Sequence, residues 1–142
     1  MKKLFTTMLG LALILSISVL ASCRGGETNA AADNASMKPI VEKFEAGEQL
    51  TEAEYSTVLD YVDAAVDEAA PLSEEFKEAY ESGNETKMDD VQKKGEELEA
   101  KYEYMNDALK ILYAANEEDA GEANVEKGKK IYEKMQKVGL NF

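Results

Sequence analysis

The chain has 142 residues, with 16 lysines and arginines against 29 aspartates and glutamates, a formal net charge of −13. That much negative charge repels nucleic-acid phosphates, and no basic stripe with interleaved aromatics offsets it, so nucleic acid is excluded as a partner. Histidine is absent and there is a single cysteine, Cys23, which removes imidazole bases, histidine-ligated zinc and histidine-held haem.

In chain order, Lys2 and Lys3 precede an apolar run from Met8 to Leu20 that only Gly10, Ser16 and Ser18 interrupt. The run is shorter than the roughly 20 residues needed to cross a bilayer and has the proportions of a signal peptide. It ends at Leu20-Ala21-Ser22-Cys23. Two small side chains there give a peptidase access to the bond, and the thiol that follows is a nucleophile able to accept a diacylglycerol thioether. Residue for residue this resembles the lipobox of bacterial lipoproteins.

The resemblance implies that residues 1–22 are removed and that Cys23, lipidated, becomes the amino terminus and the site of attachment to the membrane. Two or three acyl chains suffice for stable anchoring. Arg24 stands where an aspartate would signal inner-membrane retention, so the resemblance implies the outer membrane of a Gram-negative envelope, on the periplasmic side or the cell surface. Loss of Lys2 and Lys3 takes the net charge from −13 to −15. With its thiol alkylated, the mature chain has no sulfur for a disulfide, thiolate catalysis or an iron–sulfur cluster.

Residues 23–36 read as the lipidated cysteine and a small, polar, aperiodic tether. As a coil, its thirteen residues after Cys23 reach about 20 Å. Residues 37–142 then fit one domain large enough to bury a core.

The domain's strong signals are helical. A first helix is expected from Lys38 to Ala46, with Pro39 in its first turn and Gly47 after its end. "LTEAEY" carries a capping box, Thr51 with Glu54, and a hydrophobic staple, Leu50 with Tyr55. From there Tyr55, Val58, Leu59, Val62, Val66 and Ala69 form one stripe until Pro71, which is expected to stop the helix. A short helix from Ser73 to Ser82 follows. Met88, Val91, Gly95, Leu98, Tyr102, Met105, Leu109 and Leu112 then keep a heptad pattern that predicts one long helix from Glu85 to Ala115. "NEEDAGEAN" turns the chain into a last helix, Glu122 to Val138, ending at Gly139. The fold class expected is all-α: a small antiparallel bundle of three long helices plus one or two short ones.

Charge is unevenly placed. From Glu45 to Asp90 fifteen acidic residues face only Lys77 and Lys87, whereas the last helix carries Lys127, Lys129, Lys130, Lys134 and Lys137. Solvated faces, with lysines opposing a helix dipole, account for such a pattern. The functional alternative is a bipolar surface. In it Glu52, Asp63 and Asp67 attract a cationic envelope or secreted protein, while Lys127, Lys130 and Lys134 meet a partner or anionic headgroups. Tyr55, Tyr102 and Tyr132 fall on core stripes; Tyr61, Tyr80, Tyr104 and Tyr113 flank them and are candidates for lining a groove.

No nucleophile elbow, phosphate loop or calcium loop is present in the sequence. The carboxylates of Glu96, Glu99 and Glu103 share a helix face but lack the histidines of a di-iron repeat. The expectation is a non-enzymatic interaction module without cofactor or metal. Its more specific forms are an immunity or inhibitor lipoprotein against a basic toxin or hydrolase, and a bundle that holds a small ligand or lipid.

Overall fold

The computed structural model describes residues 33–139; the expected signal peptide, Cys23 and the expected tether up to residue 32 lie outside the described residues. Six helices make up this region: α1 (Asn34–Glu45), α2 (Glu52–Glu81), α3 (Glu85–Lys101), α4 (Met105–Ala114), the single turn α5 (Glu117–Ala120) and α6 (Glu122–Lys137). The protein is an all-α bundle.

The first helix starts earlier than its apolar pattern predicts. Asp33 caps it, its Oδ1 accepting from the Ser36 N–H and the Ser36 hydroxyl, both at 2.8 Å. These bonds hold the Asp33 carboxyl below the usual carboxylate range. Asn34 to Ser36, assigned to the tether by composition, are therefore helical, and Pro39 sits inside the helix rather than in its first turn. The early start matters for packing, because it places Met37 on the buried side, with Ile40 and Val41 one turn later.

The capping box of α2 forms as predicted. The Thr51 N–H donates to Glu54 Oε2 (2.7 Å) and the Glu54 N–H donates to Thr51 Oγ1 (3.2 Å). Glu54 also takes Lys43 of α1 at 2.9 Å, so one carboxylate both starts α2 and ties it to α1. The bond from the Thr51 amide, then Lys43, lowers its pKa.

Pro71 does not end α2; a single helix of 30 residues replaces the two that the sequence suggests. Pro71 and Asp67 are both exposed, so the carbonyl left without an amide partner stands on the solvent side. An interior proline costs a helix about 3 kcal/mol. Packing of α2 on α3 and α6 holds the helix through the proline, and contacts on both sides of it offset part of the cost: Lys101 to Glu68, Lys94 to Glu75 and the Ser73 hydroxyl to the Val138 carbonyl. The helix ends instead at Gly83, whose φ of 64° only glycine adopts freely. There the Asn84 N–H reaches the Ala79 carbonyl and the Gly83 N–H reaches that of Tyr80.

The predicted helix from Glu85 to Ala115 is broken into α3 and α4 by a turn at Tyr102 to Tyr104. Its cause is a buried phenol. Tyr61 of α2 is fully buried. Its hydroxyl accepts the Tyr104 N–H (3.1 Å) and donates to Asn34 Oδ1 of α1 (2.6 Å). The Tyr104 amide is thus turned to a side chain. Tyr102, whose ring stands edge-on to Tyr61 at 5.2 Å, plugs the junction and donates its hydroxyl to Glu68 at 2.7 Å.

The contacts fix the directions. Asn34 lies by Tyr61 and Lys43 by Glu54, so α1 descends as α2 rises; Lys94 by Glu75 and Lys101 by Glu68 make α3 descend as well. Asn124 donates to the Glu52 carbonyl, Lys127 pairs with Asp60 and Ser73 reaches Val138, so α6 rises parallel to α2. α1 and the limb made of α3 and α4 run antiparallel to α2, α6 runs parallel to it, and α2 is the hub on which all the others pack.

Replacing Tyr61 by Phe keeps the ring and removes both hydroxyl bonds, leaving the Tyr104 amide without its acceptor. The Tyr61→Phe variant is expected to lose about 1–3 kcal/mol of stability, read as a lower urea midpoint, with freer hydrogen exchange at Tyr104.

Candidate functional site

The charged residues singled out from the sequence are brought together largely with one another. Lys127 pairs with Asp60, and Lys134 is forked between Asp63 and Asp67, the latter at 2.8 Å. The hydrogen bonds to Asp63 and then Asp67 raise the pKa of Lys134. The acid-rich side of α2 and the lysine-rich side of α6 are thus a seam inside the bundle. Partly exposed pairs of this kind contribute about 0.2–1 kcal/mol each. Lys130 points elsewhere and pairs only with Glu126 one turn before it, at 3.6 Å.

Glu52 lies at the α5–α6 turn. Its carboxyl carbon is 2.7 Å from where a Cβ on Gly121 would be, and Gly121 has φ of 83°. A side chain at 121 would displace that carboxylate as well as strain the backbone.

Between α4 and α6 the bundle is open. Both helices pack on α2 but make little contact with each other. The gap is an apolar groove of about 270 Å³, floored by Tyr55, Leu59 and Val62 of α2 and walled by Leu112 of α4 and Val125 and Ile131 of α6. Gly128 thins the α6 wall, with only Leu59 near the place of its missing side chain, at 3.6 Å. Glu117 is the single charged residue in the lining. Two tyrosines stand at the rim, Tyr113 with 71% and Tyr132 with 55% of its surface exposed.

The tyrosines divide differently from their stripes. Tyr55 and Tyr102 are core, as spacing predicts. Tyr132, expected in the core, is at the groove rim, and Tyr61, expected to flank a groove, is the most enclosed of all. Periodicity gives the face of a helix but not which neighbour covers it. The extra width of the apolar arc on α6, where Gly128 and Tyr132 lie beside Ile131 and Met135, was the available signal for an uncovered flank.

Of the three carboxylates that share a face in the sequence, Glu99 differs from its neighbour Glu96, which is exposed. Glu99 is half-buried, and its Oε1 has no hydrogen-bond partner. Burial first, and then the nearby Glu96, push its pKa up to about 7. It stands alone: among the described residues no group of three or more acidic or cysteine side chains is placed to hold a metal ion. Nor is any described helix long and apolar enough to cross a membrane.

Comparison with protein-family models, with curated proteins and with solved structures finds no match to this chain.

Glu99 has a consequence for stability. Its ordinary value is 4.5 and its folded value about 7. Between these the folded chain holds the proton more tightly than the unfolded one, so stability falls as pH rises through that window. Glu99→Gln removes the effect. The variant is expected to have a higher urea midpoint than the parent at about pH 8, and the difference is expected to shrink towards zero near pH 4.

Proposed function

We propose that this protein is a lipid-anchored, non-enzymatic interaction module of the bacterial envelope, held to the membrane through Cys23 and presenting the groove between α4 and α6 to a cationic protein. The observation that carries the reading is an open apolar groove with two exposed tyrosines on a strongly anionic surface. From Asp33 to Gly139 there are 28 carboxylates and 13 lysines. Eight and seven of these pair with one another, leaving twenty carboxylates against six lysines outside any ion pair among the described residues. An excess of that size steers basic partners to the surface and speeds their association.

An immunity or inhibitor protein acting on a basic toxin or hydrolase is the specific form of this reading that the charge favours. The groove also supports a second reading, a site for a small apolar ligand, since about 270 Å³ is just under the usual range for such pockets. A bound molecule retained through purification, seen by native mass spectrometry, would favour that reading.

Two measurements test the proposal. Metabolic labelling with a palmitate analogue is expected to mark the parent chain and not Cys23→Ala, which also leaves the lipoprotein fraction; equal labelling of both would refute the anchor. Proteins retained by the immobilised chain are expected to be basic and to be released between about 50 and 500 mM salt, over which screening shortens several-fold. Retention that ignores salt would refute charge-led docking.

A further inference from the structure

We infer that the groove between α4 and α6 receives a cationic amphipathic helix of the partner protein. The inference rests on the interaction-module reading and adds to it the shape of what is bound and the end at which its charge lies.

The groove has the form of a bundle position without its helix. Two helices wall it, antiparallel to each other, and a third is its floor. Its α6 wall runs from Val125 to Met135, which at 1.5 Å per residue is about 15 Å, nearly three helical turns. That length matches anchors at i, i+3, i+4 and i+7 of an apolar helix face. Tyr113 and Tyr132 stand on the two walls, where each ring offers an apolar side to the occupant and a hydroxyl to water.

Charge selects among occupants. The groove opens at one end onto the α5 turn and the start of α6, where Glu117, Glu118, Asp119 and Glu122 follow each other in the chain and Glu52 leans on Gly121. Lys127 and Lys134, the nearest cations of α6 to α2, are turned to Asp60 and Asp63 and not to this end. A second copy of the chain would bring 28 carboxylates against 13 lysines to the same place, and an anionic lipid would set its headgroup by Glu117. A helix with leucine-like anchors and lysine or arginine at one end meets both the apolar floor and the acidic mouth.

The test uses the full chain in phosphatidylcholine nanodiscs with its tyrosines isotopically labelled, and three synthetic probes of about 18 residues, roughly five helical turns. One is a leucine–lysine amphipathic helix, one its leucine–glutamate analogue, and one the leucine–lysine composition with its apolar residues scattered. The leucine–lysine helix is expected to shift the Tyr113 and Tyr132 ring signals saturably, with affinity falling at least about tenfold from 50 to 500 mM salt. The other two probes are expected to bind about tenfold more weakly or worse.

Tyr113→Ser with Tyr132→Ser, both at exposed positions, is expected to weaken the leucine–lysine helix about tenfold while the far-ultraviolet dichroism stays unchanged. Gly128→Leu, which fills the groove from its own wall, is expected to do the same. Equal shifts from the glutamate or the scattered probe would overturn the inference. So would rim shifts that appear without peptide, either on adding anionic lipid or on raising protein concentration, since these would assign the groove to the membrane or to a second copy. Binding of the leucine–lysine probe that leaves both rim tyrosines unmoved would overturn the groove while sparing the module reading. Failure of both lysine probes to perturb any residue would overturn the two together.

Discussion

Three segments of this bundle meet at one phenol oxygen. The Tyr61 hydroxyl donates to Asn34 at the start of α1 and accepts the amide of Tyr104 at the start of α4, so a side chain in the first half of α2 ties the starts of two other helices together. A fully buried hydroxyl with one bond given and one received is satisfied, and removing either partner would leave a polar group without water. Burial raises the pKa of this phenol well above the tyrosine range, so it keeps its proton and its role as donor across ordinary pH. Tyr102, edge-on to the same ring, closes the junction and hands its own hydroxyl to Glu68.

The rest of the architecture hangs from that junction. With α3 ended at Lys101 and the chain restarted at Met105, the descending limb is two shorter helices instead of one rod. The second of them lies along the lower half of α2 through Met105, Ala108 and Ile111. The last helix is drawn to α2 by a different means, a seam of lysine and aspartate that reaches from Lys127 to Lys134. Both limbs are therefore committed to α2 and neither to the other. The groove is what remains between them.

The elements readable from the sequence are those whose signals are local. Thr51 and Glu54 are three residues apart and make the same bonds in any context that allows a helix, and Gly83 ends one for steric reasons of its own. The turn at Tyr102 was invisible because Tyr102 and Met105 keep a spacing of three across it, so the apolar pattern runs on while the backbone does not. Pro71 misleads for the opposite reason: its local signal is strong, and packing on α3 and α6, distant in the chain, overrules it. The start of α1 was hidden in a stretch whose composition resembles a linker, although Asp33 and Ser36 have cap spacing. As for the site, the candidate charges were legible, but not that Asp60, Asp63 and Asp67 face Lys127 and Lys134. That is a property of two helices seventy residues apart in the chain. Tyr132 and Tyr61 exchanged places for the same reason.

An apolar groove on a small domain is an aggregation hazard unless something discourages self-association. Here the same carboxylates that decorate α2, α3 and the α5 turn supply that discouragement, since two copies approaching groove to groove bring like charge together before apolar surface touches. Net charge of this size weakens the compact state by self-repulsion. The cost is reduced where lysine is placed on the α6 side of the hub, so that Asp60, Asp63 and Asp67 are neutralised within the fold. The carboxylates near the groove mouth are left without lysine. Internal neutralisation at the seam and open negative charge at the mouth are two parts of one distribution, which stabilises the bundle where helices must stay together and sets like charge against a second copy approaching the gap between α4 and α6.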